Sequence, residues 1–178
     1  MCSSDLVAAF EKKVGIDLEA EKRLQQNMVK FCDGNKKCSK EFPLDELKKL
    51  AADGNPIFQN NFGWRLYEVA TGKQQKSEAF RYFLKAAQSG SAHAQVAVGW
   101  IYLHGLVGVR DVRAAFEWNM KGARQGHPEG ANNIAFQYEN GIGVQKNVGT
   151  AKEWYTYAAA RGSQSALGAL RHMITAGK

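Results

Sequence analysis

Apolar residues recur three and four positions apart along most of the chain, which is the period of helices that bury one stripe. Read this way, residues 44–53, 56–71, 77–89, 92–104, 111–125, 128–140, 147–161 and 164–176 each predict an amphipathic helix. Strand-like alternation is missing, and only three prolines interrupt the pattern. The first stretch is different. Leu6, Phe10, Val14 and Leu18, then Leu24, Met28, Val29 and Phe31, mark one or two helices with a weak break at Gly15-Ile16-Asp17.

The predicted helices are copies of one unit. Gly54, Gly90, Gly126 and Gly162 lie 36 residues apart, as do Ala51, Ala87, Ala123 and Ala159. Gly63 and Gly99 share a phase with Ala135, and Trp64 and Trp100 share the next with Phe136. Tyr102 matches Tyr138; Gly105 matches Gly141 and Gly177; Ala79 matches Ala115 and Ala151; Tyr82 matches Trp118 and Trp154. So many columns with one period mark internal repeats. Each unit predicts two helices, A (56–71, 92–104, 128–140, 164–176) and B (44–53, 77–89, 111–125, 147–161). Gly90, Gly126 and Gly162 fall just after helix B, where a left-handed cap needs no Cβ. A single helix pair cannot bury its apolar face, so neighbours must stack into one continuous core. The reading is an all-α solenoid over 43–178, with one degenerate and two to three well-formed repeats. Residues 1–42 carry no repeat phase and read as an N-terminal helical cap over the apolar end of the first repeat.

The motif small-x-x-x-apolar-small-x-x-Tyr-x-x-Gly, then Gly-x-Val, Ala-x-x-Trp and Ala-Ala-x-x-Gly, is clearest from Ser91 to Gly162. It resembles the Sel-one-like repeat, a relative of the tetratricopeptide repeat. The resemblance covers about 43–178 and departs most over 55–72, where the Gly-x-Val turn is missing. It implies a right-handed α-solenoid superhelix of helix-turn-helix repeats, with helix A lining the concave face, and a protein that binds other proteins without catalysis.

Charge and cysteines place the chain. The net charge is +7. Residues 1–56 hold ten basic and ten acidic residues, whereas 57–178 hold fourteen basic and seven acidic. Such a surface attracts an acidic partner, although Lys85, Lys121, Arg124 and Arg161 near helix ends also offset helix dipoles. No apolar run is long enough for a membrane span, and Met1-Cys2-Ser3-Ser4-Asp5 has no secretory apolar core. Met1 directly before that Cys2 reads as an added start on a mature bacterial lipoprotein with Cys2 as lipid acceptor; an ordinary cytosolic N-terminus is the alternative. Cys32 and Cys38 flank a polar loop and are spaced to close a disulfide in an oxidising compartment, or to stay free thiols in the cytosol. The expected location is periplasmic and lipid-anchored, with the cytoplasm as alternative.

Candidate chemistry is sparse. Gly105-Leu106-Val107-Gly108 and Gly141-Ile142-Gly143 recur with the repeat and join helix to helix, so they read as turns and not as phosphate loops. His93, His104, His127 and His172 form no close pair at metal spacing. Glu68, Glu139 and Glu153 have no obvious acid–base partner. Basic residues do not cluster among aromatics, which argues against nucleic acid. Some cysteine-rich members of the resembled family are credited with binding or hydrolysing β-lactams; they carry cysteine pairs in each repeat, and this chain has none after Cys38. A β-lactam hydrolase is therefore the last-ranked reading. No catalytic residue, cofactor or metal is expected.

The expected contact surface is the concave face: Trp64, Trp100 and Phe136, with Asn60, Val96 and Asn132 one turn before them and Glu68, His104 and Asn140 one turn after. Arg65, Arg110 and Arg113 would add charge pairing. Repeated aromatics along a groove are the kind of anchor that dominates interface energy; the alternative is that they fill the seam between repeats. Lipoproteins of the resembled family include immunity proteins that neutralise phospholipase effectors of type VI secretion systems in the periplasm. The sharpest expectation is such an immunity protein, with a phospholipase toxin as partner, a lipid anchor as its membrane contact and no nucleic acid. The alternative is a general scaffold for complex assembly.

Overall fold

The computed structural model describes residues 3–19, 22, 42–108 and 110–175. Cys2, Cys32, Cys38 and the predicted helical stretch around Leu24–Phe31 lie outside them. The described residues form nine α-helices and no strand: α1 (Ser3–Val14), α2 (Leu44–Ala52), α3 (Pro56–Val69), α4 (Lys73–Gln88), α5 (Ala92–His104), α6 (Val112–Arg124), α7 (Pro128–Asn140), α8 (Val148–Ala160) and α9 (Gln164–Thr175). The predicted all-α helical repeat is observed.

Helix ends follow local chemistry. Asn55 and Ser91 cap α3 and α5, and Asp111 and Asn147 cap α6 and α8, each accepting a backbone N–H with its side chain. Helices α5 and α7 stop at Gly105 (φ 66°) and Gly141 (φ 70°), left-handed positions that cost a glycine little.

Helix α4 begins at Lys73, four residues before the predicted Ser77. The reason is the missing Gly-x-Val turn. Only residues 70–72 connect α3 to α4, whereas 105–111 and 141–147 connect the later pairs. Residues that form a loop in the later copies extend the helix in the first.

Each helix packs on the next from α2 to α9. Successive A helices also touch, α5 with α7 and α7 with α9, and no B helices share comparable contact. The A helices therefore approach one another along one side of the stack. The core divides into three linked clusters. Leu47, Phe58 and Phe62 fill the first, Phe83, Val98 and Ile101 the second, and Ile134, Trp154, Tyr157 and Met173 the third. Burial on this scale supplies most of the stability, since short helices are marginal alone.

Facing columns set the spacing within each pair. A Cβ on Gly63 would lie 2.9 Å from the Phe83 ring, and one on Gly99 would run into the Asn119 side chain and lie 3.1 Å from the Ala115 carbonyl. Small residues at 63, 99 and 135 thus let A and B backbones approach.

The first helix departs from expectation. Helix α1 does not lie over the first repeat. It packs on α8, the B helix of the third, where the Phe10 ring meets Trp154 edge-on at 4.9 Å and Tyr157 at 5.4 Å. Lys13 pairs with Glu153 at 2.9 Å, and the Asp17 N–H donates to the Arg124 carbonyl at the end of α6. The apolar stripe of α1 was legible, but its target was not, because any exposed apolar strip of matching width accepts such a stripe.

Candidate partner-binding face

The aromatic column arises from helix geometry. Gly63, Gly99 and Ala135 face the partner B helix. The next residue in each case is rotated by about 100°, which turns Trp64, Trp100 and Phe136 away from that contact. Trp64 is 39% exposed and Phe136 42%, while Trp100 is half-buried.

Between α3 and α5 the rings form a continuous strip. Trp64 rests against Phe83 at 5.0 Å and Tyr67 at 6.1 Å. Tyr67 reaches Trp100 at 6.5 Å, and Trp100 stacks with His104 at 5.0 Å. These spacings suit edge-to-face and tilted aromatic contacts. Lys76 lies over the Tyr67 face, 5.5 Å from its centroid. The two alternatives for this column are thus both partly realised: Trp100 helps to fill the seam, and Trp64 and Phe136 keep open surface.

The flanking positions divide. Glu68, His104 and Asn140 are exposed, and Arg65 and Asn132 half-buried. His104 donates from Nδ1 to the Trp100 carbonyl at 2.9 Å; a carbonyl only accepts, so the proton sits on Nδ1. Asn140 donates in the same way to Phe136 at 2.9 Å. Two of the expected contact residues are corrected. Asn60 and Val96 are each only 8% exposed. Val96 packs between α6 and α7, close to Gly122 and Gly130. At 60 and 96 the position four residues before the aromatic is covered by packing, while Asn132 keeps partial exposure. Arg110 and Arg113 are exposed, and Arg110 Nε donates to the Leu103 carbonyl at 3.0 Å.

Several polar residues escaped the sequence reading. Gln59 Nε2 donates to the Ala51 carbonyl at 3.3 Å, and Gln95 repeats that bond to Ala87 at 3.2 Å. Their 36-residue spacing was an available signal. In the second and third copies, buried Asn119 donates to Gln137 at 3.2 Å, Asn133 donates to Asn119 at 3.2 Å, and Gln137 reaches the carbonyls of Val112 and Ile142. Asn119 occupies the phase of Phe83, and Gln137 that of Ile101. A polar pair has replaced an apolar one on both sides of the interface at once, which keeps it satisfied.

Two tyrosines in α8 contrast. Tyr155 donates to Glu139 at 3.0 Å, and burial first, then the adjacent carboxylate, hold its hydroxyl above the ordinary range. Tyr157 is buried with no hydroxyl partner among the described residues, and burial pushes it up to about 12 against the opposing charge of Arg161. Folding therefore favours the neutral phenol. Between pH 10 and 12 the unfolded chain binds fewer protons than the folded one, so stability is complete below pH 10 and falls as pH rises through that window. Tyr157→Phe should be neutral or raise stability by up to about 1 kcal/mol and soften the alkaline fall, whereas Tyr155→Phe should cost about 1–2 kcal/mol. Urea titrations at pH 7 and across the alkaline range check both; a loss above that range for Tyr157→Phe would mean that its hydroxyl is bonded.

Among the described residues no three His, Cys, Asp or Glu side chains converge where a metal could be held. No described helix is long and apolar enough to cross a membrane.

This architecture defines a helical-repeat solenoid with an aromatic column along its A helices. The Sel1 repeat matches residues 59–91, 92–127 and 128–163, and the chain belongs to that family. A Sel1 repeat protein from Oxalobacter formigenes is 35% identical, with 72% of this chain aligned to 97% of that one at a TM-score of 0.62. The protein c5321, a protective antigen of uropathogenic Escherichia coli strains, is 26% identical at a TM-score of 0.70. That match covers 77% of this chain and 29% of the antigen. Helicobacter pylori cysteine rich protein B shares the fold at 24% identity and a TM-score of 0.57, over 73% of this chain and 98% of its own. No curated protein matches. Sel1 repeat proteins generally mediate protein–protein interaction and are typically non-catalytic scaffolds.

Proposed function

We propose that this protein binds a partner protein on the inner face formed by α3, α5 and α7, and does so without chemistry of its own. The observation that carries this is the aromatic column of Trp64, Trp100 and Phe136, in which Trp64 and Phe136 keep open surface where a core residue would be covered. Large exposed aromatics on rigid helices are costly unless something else covers them, and they supply contact area at little entropic cost.

The sharper form of the proposal is an immunity protein of the bacterial envelope that neutralises a phospholipase effector of a type VI secretion system. Occlusion is the mechanism: the inner face covers the active site or the membrane-docking surface of the enzyme. The envelope setting draws on Cys2 as a lipid acceptor and on a Cys32–Cys38 bridge. A thiol titration of native material tests that setting, since two free thiols at 32 and 38 would favour the cytosol.

The test of function is co-expression with a phospholipase effector encoded beside it. The two should co-purify, and stoichiometric protein should abolish lipid hydrolysis. Trp64→Ala with Trp100→Ala should weaken binding by at least about 2 kcal/mol, some thirtyfold, with the helical signal retained. Binding without inhibition would leave a scaffold; wild-type affinity in the double variant would remove the aromatic face from the interface.

A further inference from the structure

The aromatic strip opens at its end onto a cleft that nothing above has used. Thr71, Gly72, Lys73 and Lys76 form one wall, and Gly105, Leu106 and Gly108 the other. Its volume is about 340 Å³. The cleft joins the strip directly: Lys76 covers the Tyr67 ring, and Gly105 follows His104. Arg110 packs beside Gly105, its Cβ 3.1 Å from where a glycine Cβ would lie. The space exists because a three-residue turn after α3 stands beside a seven-residue turn after α5, so the two connections do not nest.

Lys73 and Lys76 line this cleft with no carboxylate among its walls. Four carboxylates of the repeats are engaged elsewhere, while Glu78 and Glu117 are exposed on α4 and α6 outside the cleft walls. Asp111 accepts the N–H groups of Arg113 and Ala114, Glu129 accepts from Ser163, Glu139 from Tyr155, and Glu153 pairs with Lys13. Among the described residues Lys73, Lys76, Arg65 and Arg110 make no ion pair. Glu68, exposed on α3, is the acidic side chain that α3 contributes beside the strip.

Resting on the protein-binding reading, we infer that the strip and the cleft together take an acidic segment of the partner. An apolar or aromatic side chain of that segment seats on Trp64, Tyr67 and Trp100, and carboxylates near it in sequence enter the cleft at Lys73 and Lys76. The aromatic contacts give affinity, and the cations give register and a salt-dependent rate of encounter.

The test uses the full chain and three labelled synthetic peptides measured by fluorescence anisotropy: Trp and Leu among Asp and Glu, the same apolar residues among Lys, and the acidic residues among Ser with no apolar one. The first should bind, the other two should bind at least about tenfold more weakly, and affinity for the first should fall steeply between low and physiological salt. Lys73→Glu with Lys76→Glu should cost at least tenfold for the acidic aromatic peptide, and Lys73→Arg with Lys76→Arg should restore it. Equal binding of the acidic and basic aromatic peptides, or no effect of the Glu pair, would overturn the inference. In that case a partner whose binding still needs Trp64 and Trp100 leaves the protein-binding reading standing. Loss of that dependence would end both.

Discussion

Phe83→Ala is expected to lower the free energy of unfolding by about 3–5 kcal/mol, the range for truncating a fully buried phenylalanine. Phe83 is wholly buried in α4, touches the Gly63 backbone and supports Trp64 from beneath. Gly63 has no side chain to move into the space, so the cavity cannot collapse cheaply. A solenoid is held by nearest-neighbour interfaces, so the damage should stay local. Hydrogen exchange should show α3 and α4 losing protection while α7 to α9 keep theirs. Trp64 should also lose its fixed position, so partner binding should weaken although Phe83 itself is covered. Urea titration followed by circular dichroism measures the first effect; a loss under about 1 kcal/mol would mean that the α3–α4 interface is much looser than its geometry.

Trp154→Ala should cost a similar amount, about 3–5 kcal/mol, at the other end of the stack. Trp154 is buried in α8 and meets both Phe10 and Tyr157. Its removal takes away much of the platform on which α1 sits. The remaining tie, Lys13 to Glu153, is exposed on both sides and holds little by itself. Helix α1 should therefore become sensitive to protease before the repeats do. Phe10→Ala separates the two effects: it should release α1 with a smaller loss of global stability. If α1 stays protected in both variants, it is held by contacts other than this aromatic cluster.

The sequence alone was enough for the repeat and most of its detail. Helices A begin at 56, 92, 128 and 164, helices B end at 52, 88, 124 and 160, and both series keep the period of the glycine and alanine columns. That is legible because backbone demands are local: a left-handed cap selects glycine, an N-cap selects Asp, Asn or Ser, and a close helix approach selects a small residue. The aromatic column was legible for the same reason, since it sits one residue beyond the small one, but whether it stays open or fills the seam was not.

Tertiary structure decided the rest. It buried Asn60 and Val96, although they share a helix face with residues that remain open. It paired Asn119 with Gln137, residues whose meeting requires two helices to be placed first. It put α1 on α8 and not on the first repeat, and it shaped a cationic cleft from two turns of unequal length. Periodicity along one chain states which side of a helix wants cover. Which surface provides that cover depends on how far the stack curves and on what every other strip offers, and no single segment carries that information.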